Sequence, residues 1–180
     1  MTTARANDAP QRSGAAKRAF VALGANVGPR RATLEWALRA LDASEGVRVV
    51  ARSSWHRTAP VGGPVGQPAF LNGAAELETS RTPHDLLALM LELEVRTGRL
   101  RTRATQDGPR SLDLDLLLFA DHIVDDARLE LPHPRLEERA FVLAPLAEIA
   151  PDLVLPRCGV RVRERLAALG VPHEPTPAAP

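Results

Sequence analysis

Two aspartates, Asp113 and Asp115, sit inside a run of leucines in residues 108–119, which read Gly-Pro-Arg-Ser-Leu-Asp-Leu-Asp-Leu-Leu-Leu-Phe. Side chains along a strand alternate faces with a period of two. Leu112, Leu114, Leu116 and Leu118 are therefore expected on one face, and Asp113, Asp115, Leu117 and Phe119 on the other. The two carboxylates then share a face, about 6.6 Å apart along the strand. Half-buried carboxylates that close repel, and each is costly to desolvate unless a cation lies between them. Oxygen-only ligands suit a hard ion such as magnesium, which takes one or two protein carboxylates and completes its shell with water and substrate phosphates. The plain alternative is an edge strand with two solvated aspartates, but aspartate is poor in strands and needs a reason to be there.

The residues upstream supply that reason. Arg96, Arg99, Arg101, Arg103 and Arg110 fall close together, and Asp107 is the single acid between Arg96 and Arg110. Guanidinium forks bind phosphate oxygens bidentately. An arginine-rich loop feeding a two-carboxylate strand makes a site for magnesium plus a polyphosphate.

Something must position that loop and strand. The chain has 180 residues, 44% of them apolar and 25% charged, which suits one globular domain with a real core. Lys plus Arg is 23 and Asp plus Glu is 22, a net charge of +1. Near-neutrality argues against a general nucleic-acid coat. Cys158 is the single cysteine, which excludes an internal disulfide and a cysteine-based zinc cluster. No apolar run reaches the length of a membrane span, and residues 1–16 lack the apolar stretch of a signal peptide. The expectation is a cytoplasmic protein with no membrane partner.

Residues 1–17 read as a disordered leader, 18–170 as the single domain and 171–180, with four prolines, as a loose tail. Within the domain, residues 19–24 read as a strand and 25–29 as a turn. Gly24 and Gly28 fit neither the P-loop nor the dinucleotide fingerprint. Leu34, Leu38 and Leu41 recur at helical spacing, predicting an amphipathic helix over 30–44. Residues 47–57 alternate as one strand, 58–68 form a Gly- and Pro-rich loop, and 70–79 a further strand. Thr82 is a helix cap, with Pro83 at the first position and Asp85 in the first turn. Leu86, Leu89, Met90 and Leu93 give that helix its buried side. After the arginine loop, 99–111, and the aspartate strand come a very short strand at 123–124 and an extended stretch at 129–134. A helix follows over 137–150, expected to be interrupted at Pro145, and a last one over 160–169. The order β-α-β-β-α-β predicts an α+β protein with a ferredoxin-like core: a mostly antiparallel sheet flanked by helices, with C-terminal helical additions.

Several segments share an order and spacing with a known family. They are Ala22-Leu23-Gly24-Ala25-Asn26, Arg57-Thr58-Ala59-Pro60, Phe70-Leu71-Asn72, the run from Gly108 to Asp115, Pro132-His133-Pro134-Arg135 and Arg139-Ala140-Phe141. From Phe20 to about Pro156 the chain resembles the hydroxymethyl-dihydropterin pyrophosphokinases of folate synthesis. The Gly-Pro-Arg-x-Leu-Asp-Leu-Asp segment is the most specific of these. The resemblance implies that ATP and 6-hydroxymethyl-7,8-dihydropterin give AMP and the pterin methyl diphosphate, with attack at the β-phosphorus. It implies two magnesium ions held by Asp113 and Asp115, and catalytic roles for Asp113, Asp115, Arg110, Arg99 and Arg101. Thr58, Ala59, Pro60, Val61, Phe70, Asn72, Asp113 and Phe141 would hold the pterin, with Phe70 and Phe141 sandwiching it and Asn72 bonding its edge. An amide can both donate and accept there. Glu94, Arg99, Arg101, Arg103, Arg110, Arg128, His133 and Arg139 fall on or close to family nucleotide contacts, although Glu94 by itself could equally be a helix-surface acid. Partners are then the two small-molecule substrates, with no nucleic acid, and the protein is expected to be a monomer.

The match has gaps. The family often places a basic residue and a tryptophan just before Gly-Pro-Arg, where this chain has Gln106 and Asp107. The loop is one residue longer, which offers Arg103 for the missing base. A family tyrosine is Pro134 here, and a family glutamine is Leu91. Two other readings fit parts of the sequence: an RNA-binding ferredoxin-like module, disfavoured by 3% aromatic residues and no stacking motif, and an inactive relative, disfavoured by the intact Asp113, Asp115 and Asn72.

Overall fold

The alternation in residues 17–25 builds the middle of a sheet. In the computed structural model, which describes residues 16–61, 63–64, 66–98 and 108–170, strand β1 (Lys17–Ala25) has a neighbour on each side. It starts at Lys17, which pairs with Thr79, so that residue belongs to the strand and not to the leader. The chain continues through α1 (Arg30–Asp42), β2 (Val47–Arg52), β3 (His56–Thr58), β4 (Phe70–Thr79), α2 (Pro83–Arg96) and β5 (Asp113–Phe119). A two-stranded ribbon, β6 (Val124–Asp125) and β7 (Glu130–Leu131), leads to a 3-10 turn (Leu136–Glu138), α3 (Ala140–Ile149) and α4 (Val162–Ala168). The main sheet has the order β2-β4-β1-β5, antiparallel at every pair, with β3 added beside β4. This is the ferredoxin-like arrangement expected from the order of elements.

The amphipathic helices cover one face. Leu34, Ala37, Leu38 and Leu41 of α1, and Leu86, Leu89, Met90 and Leu93 of α2, are buried against Val21, Leu23, Leu77, Leu114 and Leu116. Each large side chain removed from water there stabilises the fold by about 1.5–3 kcal/mol. Thr82 caps α2, accepting the N–H of Asp85 at 3.2 Å. The opposite face carries a second core. Phe20, Leu117 and Leu118 meet Leu136, Val142, Leu143 and Leu146 of the 3-10 turn and α3.

Three further expectations are corrected. The strand foreseen over 47–57 breaks into β2 and β3. Ser53 Oγ takes the N–H of Ala74 at 2.9 Å in place of a ladder partner, and the Trp55 ring lies on Gly73, where a Cβ would come within 2.5 Å of it. The alternation of β5 also breaks. Val21 pairs with Leu116 and Phe20 with Leu118, so Leu117 is an extra, bulged residue. A bulge shifts every later side chain to the other face. Leu118 therefore joins Phe20, and Phe119 joins the core under α1 and α2. Finally, α3 runs through Pro145, forgoing the one helical bond for which proline has no N–H. The interruption is at Arg139, which is extended with φ −105° and ψ 99°.

Candidate active site

Register places the site. Opposite residues of antiparallel strands share a face. Gly24 on β1 faces Asn72 on β4 and Asp113 on β5. One step along, Ala22 faces Ala74 and Asp115. The two aspartates thus project from the face that α1 and α2 do not cover, beside a floor of very small residues. A Cβ on Gly24 would lie 2.9 Å from Asn72 Oδ1 and 3.8 Å from Asp113 Cβ. The missing side chain is what lets the Asn72 amide come close over β1, beside Asp113.

Each carboxylate has an arginine, and each arginine has a phenylalanine. Arg110 Nη1 donates to Asp113 Oδ2, and its guanidinium carbon is 5.6 Å from the centre of the Phe70 ring. Arg139 Nη1 is 3.7 Å from Asp115 Oδ2, and its guanidinium is 5.7 Å from the centre of Phe141. Guanidinium groups on aromatic faces at this range are attracted by the ring quadrupole. The Asp113 and Asp115 side chains are 18% and 30% exposed, so both carboxylates are half-sheltered but reachable. Burial, aided by the neighbouring Arg135, pulls Arg139 below the usual arginine pKa. Asn72 Nδ2 donates to Thr58 Oγ1 at 2.7 Å, joining β4 to the chain entering Ala59, Pro60 and Val61, the last of them exposed.

His133 stands on the same side. Its backbone N–H donates to the carbonyl of the bulged Leu117 at 2.9 Å. Its Nδ1 accepts the Arg135 N–H at 3.1 Å, which leaves the ring proton on Nε2. Burial, with Arg139 nearby, lowers its pKa to about 4, so the ring is neutral near pH 7. Glu94 is not a helix-surface acid. It is 1% exposed, and its Oε1 accepts the Leu114 N–H at 2.8 Å. A carboxylate from α2 thereby holds the strand that carries both aspartates. Arg128 is exposed in the turn between β6 and β7, where its own N–H bonds Asp126 Oδ1 at 2.8 Å. No described contact ties it to the other site residues. Arg99, Arg101, Arg103, Gln106 and Asp107 lie outside the described residues.

Asn26 carried no role in the sequence reading, yet it ties three connections together. Its Oδ1 accepts the Arg110 N–H at 2.7 Å, its Nδ2 donates to Gln67 Oε1 at 3.2 Å and to the Pro68 carbonyl at 3.4 Å, and its own N–H donates to the Arg110 carbonyl at 3.0 Å. Asn26 is 1% exposed. Its place in the family-like segment 22–26 and at a strand-to-turn junction was the available signal.

The donor set fits a hard divalent cation. Among the described residues, no three His, Cys, Asp or Glu side chains converge as a closed metal cage. Two carboxylates side by side on one strand face, with no nitrogen or sulfur ligand, match an ion that completes its shell with water and phosphate oxygens.

Fold and site together define an α+β protein with two carboxylates, two arginines and two phenylalanines gathered on one sheet face. Residues 20–151 match the family model described as 7,8-dihydro-6-hydroxymethylpterin-pyrophosphokinase (HPPK), and the chain belongs to that family. A 2-amino-4-hydroxy-6-hydroxymethyldihydropteridine pyrophosphokinase from Methylorubrum extorquens is 49% identical over 152 residues, covering 84% of this chain and 93% of the relative. One of the same name from Pseudomonas aeruginosa is 44% identical, covering 84% and 91%. Among solved structures, a Plasmodium falciparum HPPK-DHPS triple mutant superposes with a TM-score of 0.67 at 13% identity. It matches 88% of this chain, which spans 45% of that longer one, and the likeness concerns the fold alone. No helix among the described residues is long and apolar enough to cross a membrane.

Proposed function

We propose that the pocket bounded by Asn72, Asp113, Asp115, Arg110 and Arg139 is where this chain carries out its family's reaction, the transfer of diphosphate from ATP to 6-hydroxymethyl-7,8-dihydropterin. The substrate hydroxyl oxygen forms a bond to the β-phosphorus, the bond from that phosphorus to the α,β-bridging oxygen breaks, and AMP leaves. The hydroxyl proton is released to solvent. The observation that carries this reading is the pair Asp113 and Asp115 on one face, with Asn72 on the other side of Gly24.

Asn72 and Thr58 present an amide and a hydroxyl to the edge of a flat heterocycle, and Phe70 and Phe141 present ring faces. Arg110, Arg139 and His133 supply N–H donors for phosphate oxygens, with the neutral His133 donating through Nε2. Asp113 and Asp115 would hold magnesium, two ions in the fullest form of this reading, which on binding neutralises the triphosphate oxygens and acidifies the attacking hydroxyl. Little covalent work falls to the side chains, so positioning and electrostatics carry the rate.

The test is to mix purified protein with ATP, magnesium and 6-hydroxymethyl-7,8-dihydropterin, and separate the products by chromatography. AMP and pterin diphosphate in equal amounts, lost with EDTA, are expected. ADP in place of AMP would mean attack at the γ-phosphorus and would overturn the reading.

A further inference from the structure

One polar cluster lies away from the carboxylate pair and has no part in the chemistry above. Glu148, near the end of α3, points at the break between β2 and β3. Its Oε2 accepts the Ser54 N–H at 2.7 Å, and its Oε1 accepts the Ser54 hydroxyl at 2.8 Å. His56 Nε2 lies 2.6 Å from the same Oε1. An ionised carboxylate only accepts, so this imidazole nitrogen donates. Three donors from one short segment converge on one acid, and His56 is 3% exposed. A charged group gathering several hydrogen bonds makes a strong fastening, because each such bond exceeds a neutral one.

What it fastens is informative. Glu148 lies seven residues after Phe141 on α3. Seven residues are nearly two helical turns, about 10.5 Å of rise, so the two side chains leave the helix on the same side. On β3, His56 and Thr58 are two apart and share a face. His56 pairs with Asn72, and Thr58 with Phe70. One end of each element is held by the cluster, while the other carries a wall of the pocket. β3 has three residues and, among the described residues, pairs with β4 alone, so its own ladder holds it weakly.

We propose that Ser54, His56 and Glu148 are positioning residues that set the spacing between Phe141 on α3 and the Thr58–Phe70–Asn72 wall, and so set the affinity for the flat heterocycle without touching it. The inference rests on the pterin pocket proposed above. Dispersion contacts are steep: a gap of about 0.5–1 Å forfeits about a quarter to a half of the well. A small slip of α3 along β3 is therefore felt at a ring held between two aromatic faces.

The experiment uses the full chain with Glu148→Gln, which keeps the shape, and His56→Phe, which keeps the ring. Calorimetry measures 6-hydroxymethylpterin and, separately, a non-hydrolysable ATP analogue with magnesium, well below each variant's melting temperature. The expected result is about a tenfold loss of pterin affinity in each variant, with analogue affinity and saturated turnover unchanged. The double variant should lose less than the two single losses combined, because both act on one cluster. Should His56→Phe fail to fold, Ser54→Ala replaces it, with a smaller loss in the same direction. Unchanged pterin affinity in folded variants, or equal weakening of both ligands, would overturn the proposal. Wild-type protein that binds no pterin would instead overturn the pocket on which it rests.

Discussion

On the face under α1 and α2, the strands of the central sheet present Val21, Leu23, Leu77 and Leu114, all nearly inaccessible. On the reverse face, the same strands present a gradient. Along β1 the side chains shrink from Phe20 through Ala22 to Gly24, while β5 changes from Leu118 to Asp115 and Asp113. The full face cannot deform without opening a cavity, and interiors packed to crystal density resist that. The thinned face keeps its shape because it rests on the full one. Volume removed from a single face of a rigid sheet makes a pocket whose floor does not collapse.

The sharpest way to break this contrast is at the carboxylates. Asp115→Asn should cut turnover on the order of a hundred- to a thousandfold, with unchanged melting temperature and retained pterin binding. Near-normal turnover would remove Asp115 from the chemistry. The opposite face should respond in the opposite currency. Leu77→Ala should cost about 2–5 kcal/mol of stability, measured by denaturant unfolding, while turnover per folded molecule in the cold is kept.

The polar face should also carry its own pH dependence. His133 ordinarily titrates near 6.5 and in the fold near 4. Below about 6.5 the unfolded chain takes a proton that folded His133 refuses, so stability falls as pH drops toward 4 and is intact above that window. The ligand-free protein should lose on the order of 1–3 kcal/mol there, and His133→Gln should flatten that part of the curve. The smallest effect is expected at the floor. Gly24→Ala would push Asn72 from its position, raising the pterin KM by about five- to tenfold with little change in the melting temperature. An equal change for ATP would show that the floor serves both substrates.

Much of this contrast was legible in the chain. The amphipathic patterns of α1 and α2 and the Thr82–Pro83 start were plain, because local spacing and capping chemistry decide them. Asp113 and Asp115 stood out because two acids in a leucine run contradict strand preference. The phase of β5 beyond Leu116 was not legible, since a bulge depends on how β1 pairs opposite it. Nor was the true environment of Glu94, because a helical acid looks alike whether it meets water or the N–H of Leu114. The break in front of β3 needed Trp55 to find Gly73, a contact between separate strands.

By itself, the sequence determined most of the helices and strands, the ferredoxin-like class and the chemistry of the residues proposed to meet a phosphate-bearing substrate. These follow from periodicity, turn chemistry and charge, which act over a few residues. Only the tertiary structure decided that Gly24 would stand between Asn72 and Asp113, that Asn26 would tie three connections, and that Glu148 would reach His56. Such pairings depend on strand register and helix docking, where residues far apart in the chain compete for the same space and the same hydrogen bonds.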